Sequence, residues 1–157
     1  MLFRSDFVAL VAWTYTEGWL ERGKSIRIGQ SSKYPENVTR IREILHRLYG
    51  PAVVRNNPQG GRTWSERSRS DGVSVFNLSR QVSQDVLDVC PGKVPSWDFL
   101  SHLTQLQLDV FIQHSLWGDG DYEGTTFYQS LSSVGGRARM DAFVAACLMA
   151  GYSVTPV

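Results

Sequence analysis

Cysteine is nearly absent. Two thiols, Cys90 and Cys147, in 157 residues make no disulfide framework, and the three histidines stand far from them in sequence, so no structural zinc pattern exists. Long apolar runs are missing as well: Phe7 to Trp13 and Ala142 to Ala150 fall far short of the ~20 residues a bilayer span requires. The opening Met-Leu-Phe-Arg-Ser-Asp lacks the basic stretch, apolar core and small-residue cleavage site of a secretory signal. A composition 42% hydrophobic and 20% charged, with apolar residues spread along the whole chain, excludes a disordered, collagen-like or tail-like sequence. These absences predict a soluble, intracellular globular chain, cytoplasmic or nucleoid-associated, with no membrane partner and a length suited to one core.

What is present is uneven. Residues 1–70 hold 12 Lys or Arg against 6 Asp or Glu, a surplus of six positive charges. Residues 71–157 hold 4 against 9, a surplus of five negative charges, which leaves the net +1. A basic half hints at a polyanionic partner, although many soluble domains are equally lopsided.

The chain also repeats itself. Asp6 to Gly18 and Leu108 to Gly120 are each an apolar helical run ending in an acid and a glycine, with Glu17 and Asp119 lying 102 residues apart. Short β-like runs follow, Ser25-Ile-Arg-Ile and Thr126-Phe-Tyr-Gln, then the serine pairs Ser31-Ser32 and Ser132-Ser133. Second helical segments close on Leu-Tyr-Gly50 and Met-Ala-Gly151, at 33 and 32 residues beyond the acids. The agreement in order and spacing predicts a duplicated unit.

Local signals fill in the elements. Ser5 is placed to cap a helix over about residues 6–16 that Gly18 stops. Pro35 suits a first helical turn, with Val38, Ile41, Leu45 and Leu48 forming one apolar face and Gly50 ending it. Residues 64–69, the Asp71-Gly72 turn and residues 73–78 spell a hairpin. Ser79 caps a helix to about Val89, which Pro91-Gly92 breaks. Thr104 caps the long helix of the second copy, and Gly136-Arg137 to Ala150 forms its partner. The first copy, residues 1–92, reads helix, strand, strand, helix, strand, strand, helix. The second, residues 93–157, reads helix, strand, strand, helix, and Tyr152 to Val157 offers only the start of a further strand.

This order resembles the LAGLIDADG homing endonucleases, particularly the domain carried by inteins, over nearly the whole chain. Leu10-Val-Ala-Trp-Thr-Tyr-Thr-Glu-Gly18 is similar to the family's first motif in its Ala-Glu-Gly variant, and Phe111-Ile-Gln-His-Ser-Leu-Trp-Gly-Asp-Gly120 to the second. Gly92-Lys-Val-Pro-Ser-Trp97 is similar to the Lys-x-Ile-Pro element ahead of the second motif. The resemblance implies an α+β, duplicated αββαββα fold with a pseudo-two-fold axis, here with a second copy lacking its last strands and helix. It implies a site-specific double-strand DNA endonuclease that hydrolyses phosphodiesters with Mg2+ or Mn2+ and leaves 3′ overhangs. Glu17 and Asp119 would bind metal, each serving one strand, assisted by the main-chain carbonyls of Thr16 and Gly118. Lys93 would support charge on the cleaved phosphate. Chemistry agrees: two acids brought together raise each other's pKa unless a cation sits between them.

In that fold the concave face of the sheets contacts DNA. Arg27, Gln30, Arg62, Arg67 and Arg69, with Arg55 in the preceding loop, are the candidates of the first copy; Tyr128 and Gln129 occupy the corresponding strand of the second. Solubilising charge on exposed strands accounts for the arginines equally well. Three departures stand against the family pattern. His114 falls where a glycine is usual, and is better read as a packed helical histidine than as a catalytic one. The second copy is short, which leaves a sheet edge open to self-association and removes any second equivalent of Lys93; a piece of a longer protein and a shortened relative fit equally. Intein-splicing residues are absent, so splicing is not expected. Cys90 and Cys147 are expected in the core. A domain that binds DNA or RNA without cutting, and an assembly domain using the sheet edge, remain the alternatives.

Overall fold

A computed structural model describes residues 2–54, 61–123, 126–129, 131 and 137–155. It is an α+β fold of six helices, one four-stranded antiparallel sheet and one two-stranded sheet among these residues.

Helix α1 (Ser5–Glu17) is buried along eight consecutive residues, Val8 to Tyr15, so every side of it meets protein. A helix apolar all round belongs in the middle of a fold. It starts one residue earlier than the sequence suggests. Ser5 is its first residue rather than its cap, and the preceding Arg4 makes no side-chain cap. Tertiary contact replaces that cap: Asp6 in the first turn takes a two-pronged hydrogen bond at 3.0 Å from Arg47, where a carboxylate also suits the helix dipole.

Strands β1 (Gly18–Glu21) and β2 (Ser25–Ser31) follow, then α2 (Pro35–Tyr49), with Pro35 in the first turn and Val38, Ile41, Ile44 and Leu45 buried. Strands β3 (Trp64–Ser68) and β4 (Val73–Leu78) close a sheet of order β1-β2-β4-β3. Ile26, Ile28, Phe76, Leu78 and Trp64 lie in the core on its covered face. Helix α3 (Arg80–Val89) is capped by the Ser79 hydroxyl, as expected, and its Ser83 hydroxyl accepts from the Ile26 amide at 2.9 Å.

A 3-10 turn at Pro91–Lys93 and the short α4 (Trp97–Ser101), capped by Ser96, lead to α5 (Gln105–Asp119). The sequence reading had no element at α4. Thr104 and Gln107 form a reciprocal capping box at the start of α5, as the capping rule anticipates. Strands β5 (Gly120–Glu123) and β6 (Thr126–Gln129) pair with each other, and α6 (Ala138–Met149) packs on α5. Residues 152–155 form no strand, contrary to the expectation for that segment; the Tyr152 amide instead bonds back to the Cys147 carbonyl, and its ring meets Phe127 edge-on at 5.2 Å. Cys90 and Cys147 are both buried. No helix of the described residues is long and apolar enough to cross a membrane.

The largest helix–helix interface joins α1 to α5, and it decides where the site lies. Gly118 permits the contact: a Cβ there would stand 2.6 Å from the Thr16 hydroxyl oxygen and 3.4 Å from Glu17 Cγ. Any side chain would wedge the helix ends apart. Four residues earlier, His114 fits between the same two helices by bonding. Its Nδ1 accepts from the Trp13 indole at 2.9 Å, and its ring meets Trp117 edge-on at 4.8 Å.

Candidate active site

Both α1 and α5 run straight into a strand. Gly18 and Gly120 leave the helices in extended conformation, and their amides bond to Thr14 and Leu116, four residues back. The last residue of each helix is therefore an acid at a strand junction, and the α1–α5 packing sets Glu17 beside Asp119. The two carboxyl groups hydrogen-bond to each other. Burial, then the Asp119 charge and its hydrogen bond, push Glu17 up to about 8, while Lys93 opposes the shift. Asp119 is also raised, chiefly by burial, against the hydrogen bond from Glu17 and the nearby charges of Arg139 and Lys93. Bringing the two carboxyls together in a half-buried place thus disfavours charge on both.

Lys93 arrives from the other side on an unusual backbone. Gly92 has φ 63° and Lys93 itself φ 69°. Glycine takes that region freely, but lysine does so at a cost, and such a residue persists only where its surroundings fix it. The turn is held by the Lys93 amide on the Cys90 carbonyl at 3.0 Å and the Val94 amide on Pro91 at 3.2 Å. Burial and then Arg139 lower the Lys93 pKa, while Cys90, Glu17 and Asp119 support its charge. The ammonium thus belongs to one electrostatic cluster with both acids.

The donor set suits a hard divalent cation. Two adjacent carboxylates and the carbonyls of the last helical turns, including those of Thr16 and Gly118, are oxygen donors of the kind Mg2+ and Mn2+ take, with water or phosphate completing the shell. The raised pKa values of both Glu17 and Asp119 mark the place where a cation would relieve two facing charges. No group of three or more His, Cys, Asp or Glu side chains forms a metal cluster among the described residues. The Thr16 hydroxyl is engaged within its own helix, bonding to the Ala12 carbonyl at 3.0 Å.

The strand candidates separate by face. Register pairs Trp19 with Arg27, Arg27 with Asn77, Asn77 with Ser65, and Arg67 with Val75. Residues so paired share one face, the one opposite Ile26 and Ile28. Arg27 and Arg67 therefore lie together on the open face; Arg27 makes a 3.8 Å ion pair with Glu21. Gln30 does not join them. It alternates with Ile26 and Ile28, is only 6% exposed, and lies on the covered face, so the pleat corrects its expected role on the DNA side. Arg62 is exposed ahead of β3, and Arg69 sits at the hairpin tip, ion-paired with Asp71 at 2.5 Å. Arg55 lies outside the described residues. On β6, Tyr128 is exposed opposite Asp121, whereas Gln129 is on the other face opposite Gly120.

Several residues of these surfaces escaped the sequence reading. Trp19, Ser65 and Asn77 share the open face with the two arginines, and the Asn77 amide donates to the Ser65 hydroxyl at 3.4 Å. Cross-strand register would have identified them; hydropathy could not. Arg139 is the other omission. It is 8% exposed near the start of an apolar helix, and its charge acts on both Asp119 and Lys93. A lone arginine in the run Ala138 to Ala150 was the available signal. In comparisons with protein-family models and with curated proteins, nothing matches this chain.

Proposed function

We propose that this chain is a LAGLIDADG-type, site-specific double-strand DNA endonuclease, built on two pseudo-symmetric units of the αββαββα kind, with residues 93–157 holding the leading elements of the second. The observation that carries the reading is the Glu17–Asp119 carboxyl pair, set side by side at the ends of two packed helices and subject to the charge of a half-buried, left-handed Lys93. A carboxylate pair has a ready stabilising explanation as a cation site and a poor one as a device for stability.

In this reading Glu17 and Asp119 hold the divalent ion, and the Thr16 and Gly118 carbonyls assist. When bound, Mg2+ or Mn2+ would supply activation of water and neutralisation of phosphate charge. Lys93 stabilises the negative charge that grows on the phosphate oxygens, from a site where burial strengthens its field. Arg27 and Arg67 bind the duplex across the open face, where guanidinium groups suit phosphates and guanine edges.

A second reading, DNA or RNA binding without cleavage, draws support from the two-stranded β5–β6 sheet and the acidic charge of residues 71–157. One experiment separates the two. A randomised duplex library is selected on the chain in Ca2+, then transferred to Mg2+. Enrichment followed by cutting that is lost in Glu17→Gln supports the nuclease; enrichment without cutting supports the binding domain; no enrichment defeats both.

A further inference from the structure

The acid-bearing helices are held at their ends by a reciprocal pair of contacts. Two residues before each acid stands an aromatic side chain, Tyr15 before Glu17 and Trp117 before Asp119. A guanidinium from the other half of the chain lies over each ring. Arg139 of α6 is 5.4 Å from the Tyr15 ring centroid, and Arg40 of α2 is 3.7 Å from that of Trp117. The carbonyls of the same two residues are taken from across as well. Arg139 Nη2 donates to the Tyr15 carbonyl at 2.5 Å, and Asn37 Nδ2 to the Trp117 carbonyl at 3.0 Å. Arg40 braces Asn37 by donating to its Oδ1 at 2.7 Å, and the Tyr15 hydroxyl donates to the Arg139 carbonyl.

Backbone accounting explains why these contacts belong there. The last four carbonyls of a helix lack helical partners. The Gly18 and Gly120 amides satisfy those of Thr14 and Leu116, and the next carbonyls, Tyr15 and Trp117, fall to Arg139 and Asn37. Because both helices enter strands in extended conformation, no left-handed cap is available to finish them. A cation at the negative end of the helix dipole adds to the fit at Tyr15. Arg139 Nε is buried and makes no hydrogen bond among the described residues, so its Nη2 contact with the Tyr15 carbonyl is what orients the guanidinium.

We infer that Arg139, and Asn37 with Arg40, are positioning residues: each reaches from one half of the chain to fix the acid of the other, so that neither carboxylate is set by its own half alone. The catalytic part of this inference rests on the proposed nuclease reading; the reciprocal holding does not. A displacement of about 1 Å at a reacting group can slow a reaction a hundredfold. The clamps therefore act on the rate at saturating duplex rather than on duplex affinity.

The test uses the full chain with Arg139→Met, Arg139→Lys, Asn37→Leu and Arg40→Met. Three quantities are measured: single-turnover cleavage of the selected duplex, duplex Kd in Ca2+, and hydrogen exchange of the Gly18 and Gly120 amides. Arg139→Met is expected to cut roughly 10- to 100-fold more slowly, with Kd within about twofold and with Gly18 exchange accelerated but not Gly120. Arg139→Lys recovers part of the rate, and Asn37→Leu reverses the exchange pattern. Wild-type rates in the folded variants overturn the inference, as does parallel loss of affinity and rate or equal acceleration of both amides. Should Arg139→Met fail to fold, the partly exposed Arg40 and the Gly120 amide supply the same decision. Should the wild-type chain cut no duplex, the nuclease reading fails, and the exchange pattern alone upholds or overturns the reciprocal holding.

Discussion

In the first half of the chain, residues 18–78 supply a four-stranded sheet whose open face carries Arg27, Arg67, Asn77, Ser65 and Trp19. In the second half, β5 and β6 supply two strands, with Tyr128 and Asp121 opposite each other. The helix ends differ far less. Each has an acid, a following extended glycine, an aromatic residue two positions back and a side chain from the other half on its carbonyl. The likeness lies where geometry at the scale of single atoms matters, and the difference lies on surface that a partner would read. An unequal pair of sheets can coexist with two matched helix ends because different contacts determine them.

The largest expected effect tests the symmetric part. Asp119→Asn and Glu17→Gln should each reduce cleavage on the order of 10³-fold or more while duplex binding in Ca2+ persists; retained activity in either variant would break the equivalence of the two acids. Lys93→Met should slow cutting about 10- to 100-fold, and single-turnover rates check this.

The seam between the halves gives the next effect. Replacing His114 by Phe keeps a ring against Trp117 but leaves the buried Trp13 N–H without its acceptor, at a cost of roughly 1–3 kcal/mol in urea denaturation.

A smaller effect is the pH dependence of the metal-free chain. Folding raises Glu17 from an ordinary 4.5 to about 8, so its proton is bound more tightly in the folded state. Stability from Glu17 is therefore present at low pH and is lost as pH rises towards 8. Folding lowers His114 from 6.5 to about 4, through burial first and the Arg40 charge second. Its contribution is present above 6.5 and is lost as pH falls towards 4. The two opposing slopes partly offset each other below 6.5, where the raised Asp119 adds to the fall, and Glu17 leaves a fall between 6.5 and 8 of ~1 kcal/mol after allowance for solvent at its partly open carboxyl. Denaturation in a chelator should show that fall, and Glu17→Gln should flatten it. Smallest is the surface. Arg67→Ala should weaken duplex binding and reduce the salt slope by about one, whereas Arg69→Ala, already paired with Asp71, should change little.

Periodicity and punctuation made most elements legible. Pro35, Ser79 and Thr104 start helices, and Gly18, Gly50 and Gly120 follow helix ends, as their backbone chemistry demands. Ser5 misled because a distant arginine stabilises the first turn of α1, and local capping rules do not see Arg47. Gln30 misled because its type was weighed without its parity; one step along a strand reverses the face. The acids stood out by the repeat and Lys93 through the resemblance of its Lys-Val-Pro element, whereas Asn37 and Arg139 act across the chain on carbonyls and Arg40 on the Trp117 ring, and no linear pattern records that. His114 looked like a defect in a close contact and is an accommodated one, since Trp13 donates to it.

The left-handed backbone at Lys93 has a consequence for selection. Glycine or asparagine would occupy that turn with less strain, and Lys93→Gly should fold at least as firmly while losing the ammonium beside the acids. A library screened only for heat resistance would drift away from lysine at this position, and one screened for cleavage would hold it. The residue recovered there would report which pressure the chain had experienced.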